Sequence, residues 1–458
     1  MTGSPTVLLL ATVGITVLLA PSLALFFGGR PDRRRRRVIA IAIPASMLFA
    51  TTGWTLLGST LAVAAFQGAL VATAVAVILA IGLRTGSVLG YTVFAAVWIV
   101  LVLIPIGYAL FDVVHGPLAT SLGTLDFGGV SILALCTGTA ALAISLVSRG
   151  VGNAVGGPPE RTRPAFVIAA GAALLGWLAV DIGAELVLDG TTLTLAVNEL
   201  WAAVSGILGW AIAQTLNVRR ATLAGMVAGL FAGSIVVLPA SPWLDTTSVV
   251  VLGLVAGILG HVAAVTARRY GIGHWATLVG VCLVPGAVGL VGAGVVAHDS
   301  GLIFSGRTDM LSAQLSGLVI VVGYSFVVTT LIALVVDRTV RLVGSSRFVD
   351  ETIVRFYRDL NARDIDGAFA RLHPEVQWPN GWEGGTVGAD DLRAHWRRQW
   401  AELDTVFTPR RSHRVRGGWI EVDVHQVVRD HSGAVMADST IVHAYRERAG
   451  LFDRMEVR

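Results

Sequence analysis

The most constraining feature of this sequence is a succession of apolar runs, each about 20 residues long, that fills its first 340 residues. A helix of that length spans the roughly 30 Å hydrocarbon core of a bilayer, and ordinary soluble domains do not contain a series of such runs. The sequence therefore predicts an all-α polytopic membrane bundle of eleven transmembrane helices, with the lipid bilayer as its surroundings. The runs lie near residues 6–28, 38–58, 61–83, 89–111, 128–148, 164–187, 197–216, 221–241, 246–267, 275–297 and 313–336.

Charge divides the chain into two parts. Residues 1–340 contain 16 arginines and 12 acidic residues, whereas the remaining 118 residues contain 18 of each. Because a segment with that density of charge belongs in water, we predict a membrane domain over 1–342, a linker over 343–350 and a soluble domain over 351–458. The net charge of +4 is too small and too dispersed to indicate nucleic acid as a partner.

The arginines also predict the orientation of the helices, since cytoplasmic loops retain basic residues. If the N-terminus lies outside, each inner loop carries arginine and the outer loops carry a single one, Arg307. The run Arg33–Arg37 then serves as a topology anchor. An odd number of spans places the C-terminal domain in the cytoplasm, so we expect a multi-pass protein of the plasma membrane.

Small residues recur at helical spacing within the spans, as at Gly225 and Gly229, and this spacing allows helix backbones to approach closely. The fifth and tenth runs are both rich in small residues, and each ends a block of five runs. The pattern suggests an inverted 5+5 repeat plus one helix, with any substrate path near the middle of the membrane.

The C-terminal segment has the periodicity of a small α+β domain. Apolar residues at helical spacing predict helices over 351–372 and 391–403. Alternating stretches over 419–428, 435–445 and 451–457 predict strands that are separated by glycine-containing turns.

Five blocks in the membrane part carry a further signal: Pro21–Gly29, Ile104–Ile106, Leu125–Gly129, Leu223–Gly229 and Gly280–Gly286. In this order they resemble the ammonium transporter (Amt/Rh) family. The resemblance implies a homotrimer with a narrow pore through each subunit for ammonium, ammonia or a related small solute, and it implies no cofactor and no metal.

Carried over position by position, the resemblance marks seven pore and recruitment positions. Phe111 stands where members carry a tryptophan, and its ring can still face a cation; Asp126 keeps a family carboxylate. Without histidines in the pore, the relay that passes a proton or ammonia is missing, so transport should resemble that of a channel for a neutral molecule. The two gate phenylalanines correspond to Leu70 and Val180, the ion-binding serine to Ala184, and the paired pore histidines to Ala134 and Cys282.

Several of these positions have a second interpretation. Asp126 either caps a helix N-terminus, which is the interpretation we favour, or lowers the cost of a nearby cation. Asp181 and Glu185 either attract cations to a vestibule or, as we expect, are solvated acids of the outer face. Cys282 is interpreted as a small buried apolar residue rather than a pore or metal ligand.

The C-terminal segment is similar to the nuclear-transport-factor-2-like superfamily, in particular its SnoaL-like domains, in which helices and a curved sheet form a cone. The residues that carry this resemblance are Ile353–Tyr357, Leu372–Trp378, Gly388 with Leu392, and the strands near 422–428 and 438–445. In the isomerase branch an aspartate base precedes a proline, but this chain has Trp378–Pro379, so no catalytic residue is predicted. Candidate pocket residues are Trp378, Trp382, Trp396, Trp400, His425 and Tyr445.

Two uses of those aromatic residues stay open, because a packed core accounts for them as well as a ligand pocket does. The sheet face can equally serve dimerisation or docking to another protein. Three functions therefore remain: an ammonium transporter-like protein with a regulatory or ligand-binding SnoaL-like tail, a non-conducting sensor that signals through the tail, and a membrane-tethered SnoaL-like enzyme.

Overall fold

The computed structural model divides the chain into two separate units, one within the first 342 residues and one from residue 351 onward. The predicted linker, 343–350, lies outside the described residues. Residues 5–29, 33–84, 86–112, 114–147, 163–340, 342, 351–379, 385–415, 419–430, 432–448 and 451–458 are described.

The membrane unit is a bundle of apolar helices. Among the described residues, nine helices are long and apolar enough to cross a membrane: α1 Thr6–Gly28, α2 Arg33–Leu56, α3 Leu61–Gly82, α4 Val88–Phe111, α6 Phe166–Glu185, α7 Gly190–Val218, α9 Thr246–Arg269, α10 Gly273–Val296 and α11 Asp309–Val340. Two shorter apolar helices, α5 Ser131–Val147 and α8 Leu223–Val237, occupy the places of the fifth and eighth predicted spans. A polytopic helical bundle is therefore confirmed, whereas helix length alone supports nine spans rather than eleven.

Polar residues at the helix ends determine where several helices begin. The Asp245 carboxylate accepts a hydrogen bond of 2.6 Å from the backbone N–H of Ser248 at the start of α9. At the start of α7, Asp189 accepts a hydrogen bond from the N–H of Thr191 and forms a capping box with Thr192. These bonds satisfy N–H groups that have no partner inside the helix.

Helices α7, α8 and α9 meet at backbone contact through glycine. A Cβ atom added at Gly206 of α7 would collide with the backbone of Gly229 and Gly233 in α8. A Cβ atom added at Gly257 of α9 would collide with the carbonyl oxygen of Gly206. The small-residue spacing thus produces the close helix packing that it predicts, at Gly229 among other positions.

Helices α5 and α10 each contain one π-helical segment, Ser131–Cys136 in α5 and Val279–Leu283 in α10. The two segments contact each other. Such segments leave an irregular backbone ladder and are frequent at functional sites. They include Ala134 and Cys282, the two positions that the family resemblance assigns to the paired histidines.

The C-terminal unit packs helices against one face of a six-stranded sheet. Its strands run in the order β2-β1-β6-β5-β4-β3, with β1 and β6 parallel and the other neighbours antiparallel. The elements are α12 Glu351–Asn361, α13 Ile365–Phe369, β1 Leu372–Pro379, β2 Thr386–Val387, α14 Ala389–Glu402, β3 Asp404–Val415, β4 Trp419–Arg429, β5 Val435–Arg448 and β6 Leu451–Val457.

The hydrophobic core of this unit lies between the helices and the sheet. Phe356 of α12 and Trp396 of α14 are buried against Val422 of β4 and Tyr445 of β5. An ion pair joins two neighbouring strands, where the Arg446 guanidinium of β5 donates two hydrogen bonds of 2.9 and 2.8 Å to the buried Asp453 carboxylate of β6. This pair lowers the pKa of Asp453.

The observed elements extend the sequence prediction in two places. The helix predicted over 351–372 is divided into α12 and α13, and strand β1 begins at Leu372. Strand β3 has no counterpart in the prediction, because Pro409 and the arginines beside it interrupt the alternation of polar and apolar residues. The sheet accommodates this interruption with an irregularity in the register between Pro409 and Arg411.

Candidate functional site

A cavity of about 440 Å³ lies at the end of the membrane unit where α1 begins and α4 ends. We call it the end cavity. Four of the seven predicted pore positions line it: Leu70 of α3, Phe111 of α4, Asp126, and Ala184 of α6. The structure therefore brings together residues that are up to 114 positions apart in the sequence.

Leu70 and Phe111 meet beside Gly129 in the lining of the end cavity, and we call this part of the lining its apolar floor. Gly129 has a φ of +76°, and a Cβ atom there would lie 2.8 Å from Leu70 Cδ1 and 3.3 Å from the Phe111 ring. Glycine is thus required both for the backbone conformation and for the close packing of these two side chains.

The Asp126 carboxylate lines the same cavity, but both of its oxygens are engaged. Oδ1 accepts a 2.7 Å hydrogen bond from the N–H of Val130, and Oδ2 accepts a 2.9 Å hydrogen bond from the N–H of Ser131. Ser131 is the first residue of α5, so the carboxylate caps this helix. The hydrogen bonds support the structural interpretation of Asp126 over a direct role in holding a cation.

The other three predicted pore positions lie in the packed interior. Val180 and Ala134 have no exposed surface, and Cys282 is 4% exposed. Ala134 lies close to Gly286 of α10, where a Cβ atom would come within 3.3 Å of the Ala134 Cβ. Neither Ala134 nor the buried Cys282 thiol can replace an imidazole that accepts and passes a proton at neutral pH.

One expectation about the acidic residues is wrong. Asp181 is not a solvated acid of the outer face, because its side chain in α6 has no exposed surface. Its Oδ2 accepts a 3.2 Å hydrogen bond from the Ser241 hydroxyl. A second buried acid, Glu199 of α7, was missed, although it is the only charged residue between Gly190 and Val218. A lone charge inside an apolar span was the signal that could have found it.

The C-terminal unit contains a cavity of about 370 Å³, which we call the aromatic cavity. Trp378, Trp396, Trp400 and Tyr445 line it, as the pocket interpretation predicts. Because side chains alternate along a strand, Gln426 rather than His425 lines the cavity. The His425 ring instead forms a 2.6 Å hydrogen bond with Asp438, so its assignment to the pocket is wrong. The sixth candidate, Trp382, lies outside the described residues.

A chain of hydrogen bonds crosses the wall of the aromatic cavity. The Tyr445 hydroxyl donates to the Tyr357 hydroxyl at 2.6 Å, and the Tyr357 hydroxyl lies 2.6 Å from His443 Nδ1. Since the Tyr357 oxygen accepts from Tyr445, its own hydrogen is available to Nδ1, which assigns the imidazole proton to Nε2.

Burial keeps all three groups of this chain neutral. It lowers the pKa of His443 to about 4 and raises the pKa values of Tyr357 and Tyr445. The cavity therefore presents aromatic surface and uncharged hydrogen-bonding groups at pH 7. Sequence analysis missed Tyr357 and His443, although His443 lies two residues before Tyr445 and therefore on the same face of β5.

The identity of the membrane unit follows from its match to known proteins. The family described as Ammonium Transporter Family matches residues 13–347, which include most of α1, all the other helices of the unit and every pore position named above. This chain belongs to the ammonium transporter family. The matched residues end before α12, so the family match covers the membrane unit and does not extend to the C-terminal unit.

Curated relatives agree with this assignment. The ammonium transporter Amt1 of Archaeoglobus fulgidus is 26% identical over 376 residues, covering 74% of this chain and 94% of the relative. A putative ammonium transporter of Methanothermobacter thermautotrophicus is 28% identical over 258 residues, and the alignment covers 53% of this chain and 61% of that protein. An ammonium transporter of Mycobacterium tuberculosis is 29% identical, with 57% of its length covered. The alignments with the last two relatives thus span about three fifths of their length. All three relatives are described as ammonium transporters.

Solved structures share the fold of the membrane unit. Mep2 of Saccharomyces cerevisiae has a TM-score of 0.65 at 20% identity, covering 74% of this chain and 90% of Mep2. Mep2 of Candida albicans has a TM-score of 0.63 at 22% identity, covering 84% of this chain and 94% of Mep2. A structure described as a sensor Amt protein has a TM-score of 0.62 at 18% identity, covering 74% and 92%. At these identities the likeness establishes a shared fold.

Proposed function

We propose that this protein moves ammonium, ammonia or a related small solute across the plasma membrane, through a pore in each subunit of a homotrimer. Membership of the ammonium transporter family carries the proposal. The proposed topology has eleven spans in an inverted 5+5 repeat plus one, the N-terminus outside and the C-terminal unit in the cytoplasm.

The end cavity is the proposed entrance of this pore. A cation in the cavity meets the Phe111 ring, which attracts positive charge through its π face. Asp126 contributes negative charge nearby while its oxygens cap α5. Both features raise the local concentration of a small cation at the mouth without holding it tightly.

The apolar floor favours passage of the neutral form of the solute over passage of its cation. Stripping water from an ion in an apolar passage costs many times more than stripping it from a neutral molecule of the same size. The residues assigned to the relay are Ala134 and Cys282, which are buried and offer no imidazole. We therefore expect the neutral molecule to pass and the proton to stay behind.

Uptake of radiolabelled methylammonium into liposomes that contain the full-length protein tests this function. We expect uptake above that of empty vesicles and no dependence on an imposed membrane potential. Uptake that follows the potential would show that an ion crosses instead, and no uptake above empty vesicles would refute transport. Leu70→Trp should lower the uptake because the larger side chain fills the floor, whereas Leu61→Trp, at a position of the same helix that is 71% exposed, is the matched control.

A second candidate function is a non-conducting sensor that reports on the solute through the C-terminal unit. The aromatic cavity favours it, because a regulatory unit needs a site whose occupancy can change. Adding ammonium chloride, with sodium chloride as control, should then alter hydrogen–deuterium exchange in β4 and β5 of the full-length protein while methylammonium uptake stays at the level of empty vesicles. Unchanged exchange would refute the sensor.

The C-terminal unit itself is proposed to be a SnoaL-like cone that binds a small, mostly apolar molecule. The helices on one face of a curved sheet and the cavity of about 370 Å³ support this assignment. Neutral hydroxyl and imidazole groups suit an uncharged ligand with one or two polar atoms. With 4-nitrophenol as the probe, we expect protection of β5 from hydrogen exchange in the wild type and less protection in Trp400→Ala; protection equal in both would place the probe elsewhere.

A further inference from the structure

Two carboxyl groups lie inside the membrane unit without a positive partner. Asp181 of α6 and Glu199 of α7 have no exposed surface, and the two helices pack against each other. The two side chains are close enough to repel each other when both are ionised. No arginine or histidine of the described residues forms an ion pair with either.

Several polar atoms in and around this acid pair have no hydrogen-bond partner. Asp181 Oδ1 and both carboxyl oxygens of Glu199 are buried acceptors with no hydrogen bond. The amide nitrogen of Asn198 donates to the carbonyls of Ser241 and Leu244 at 3.3 and 2.9 Å, which fixes the amide and leaves its buried Oδ1 without a donor. The Ser234 hydroxyl, on α8, is a side-chain donor that faces the Glu199 carboxyl.

Four buried acceptor oxygens thus lack a hydrogen-bond donor: Asp181 Oδ1, both Glu199 carboxyl oxygens and Asn198 Oδ1. The Ser234 hydroxyl can donate to only one of them. An acceptor left unsatisfied in the interior costs about 1–3 kcal/mol, and more when it is charged. A proton on a carboxyl removes the charge and adds the missing donor in one step. All of these atoms are buried, so the cluster has room for a proton but none for a hydrated cation.

Among the described residues, the helices packed around Asp181 and Glu199 place no other charged side chain beside the pair. The sequences of α1 and α8, which pack against α6, contain no charged residue. In α9 the titratable groups His261, Arg268 and Arg269 lie in the half of the helix away from Leu244. Asp245, next to Leu244, is partly exposed and is engaged in capping α9.

Glu185 connects the pair to water. It lies one turn from Asp181 on α6, is only partly buried, and interacts electrostatically with Asp181 and with the exposed Asp189. Its neighbours Ala184 and Leu186 line the end cavity. Carboxyl groups therefore extend from the solvent side through Glu185 and Asp181 to Glu199.

We propose that Asp181 and Glu199 form a proton-binding site inside the membrane unit, loaded from the end cavity through Glu185. The step takes one proton from water on the cavity side and converts a carboxylate to a carboxylic acid, with no other bond changed. The membrane unit lacks the paired histidines of the family, and this site gives it another group that takes up a proton. It does not depend on whether ammonium or ammonia passes the pore.

Infrared spectroscopy of the full-length protein in liposomes at pH 7 tests the site, because protonated carboxyls absorb apart from carboxylates. We expect a protonated-carboxyl band in the wild type and its loss in the double variant Asp181→Asn/Glu199→Gln. Asp299→Asn, an exposed acid whose φ of +63° suits asparagine, is the matched control and should keep the band. Absence of the band in the wild type, or its persistence in the double variant, would refute the proposal.

Two further measurements address the ligand and the route. Sodium or ammonium chloride should leave the band unchanged, and loss of the band on adding either salt would show that the pair binds a cation instead of a proton. Glu185→Gln should leave the band amplitude unchanged and slow its shift on transfer to D₂O; an unchanged rate would refute loading through Glu185.

Discussion

One buried polar cluster in the C-terminal unit is fully hydrogen-bonded, whereas one in the membrane unit lacks most of its hydrogen-bond partners. In the C-terminal unit, Tyr445, Tyr357 and His443 form a chain of hydrogen bonds of 2.6 Å, and every member is neutral and partnered. In the membrane unit, Asp181 and Glu199 are equally buried, yet three of their four carboxyl oxygens have no hydrogen bond.

This difference teaches what each cluster is for. A satisfied network rigidifies its surroundings and fixes one arrangement of side chains. An unsatisfied pair in a bilayer persists only when something neutralises it, because the cost of a bare buried charge exceeds the stability of the fold. The partnered cluster thus shapes a cavity, and the unpartnered one binds a ligand. The expected effects of perturbing them differ accordingly.

The largest expected effect is the pH dependence of the C-terminal unit. Burial lowers the pKa of His443 from 6.5 to about 4, so the unfolded chain binds more protons than the folded unit between these values. Stability is fully present above pH 6.5 and is lost as the pH falls toward 4, by about 3 kcal/mol in total. Hydrogen exchange of β4 and β5, corrected for intrinsic rates, measures it. His443→Gln should flatten the profile, and an equal slope in that variant would contradict the assignment.

A smaller loss is expected when the middle of the hydrogen-bond chain is removed. Tyr357→Phe leaves the Tyr445 hydroxyl and His443 Nδ1 without their partner, and these two atoms lie 3.4 Å apart, too far for a strong bond. We expect a loss of about 2 kcal/mol from the two unsatisfied groups. Chemical denaturation monitored by exchange in β5 measures it. Tyr270→Phe, 84% exposed in the membrane unit, should have no effect there.

Removing the end of the chain should cost less than removing its middle. Tyr445→Phe deletes the terminal donor and keeps the hydrogen bond between Tyr357 and His443. We expect a loss of about 1 kcal/mol, near the value of one hydrogen bond. A loss as large as that of Tyr357→Phe would show that the three groups act as one unit rather than as successive bonds.

The smallest effect is expected in the membrane unit. If Glu199 is protonated, Glu199→Gln replaces one neutral group by another of similar shape, and the stability of the membrane unit at pH 7 should change by less than about 1 kcal/mol, the net value of one hydrogen bond. Thermal unfolding in detergent measures it, with Asp299→Asn as control. A large gain in stability would mean that the variant removes a buried charge, and the contrast between the two clusters would then be wrong.

The membrane helices could be predicted closely because lipid imposes a local rule. Every backbone group must be paired within its own helix there, so an apolar run such as 61–83 becomes α3, Leu61–Gly82, whatever its neighbours are. The end cavity was predictable only through family resemblance, which identified Leu70 and Phe111 although nothing in their local sequence marks them.

The faces of the C-terminal strands were harder to predict. Alternation in β4 shows that His425 and Gln426 point to opposite sides of the sheet, but it does not show which side the helices cover. That choice depends on where α12 and α14 pack, and it placed Gln426 rather than His425 in the cavity. Strand β3 was missed because its pairing with β4 overrides a weak local pattern.

By itself the sequence determined that this protein has an apolar, membrane-type part and a second part rich in charge, and which segments of the first form helices, because hydrophobicity and length act locally. Only the tertiary structure decided which polar groups meet. Asp181 of α6 lies near Glu199 of α7, and Tyr357 forms a hydrogen bond with His443, which is 86 residues later in the sequence. Those encounters depend on helix rotation and strand register, which are determined by packing between distant elements and not by the residues alongside.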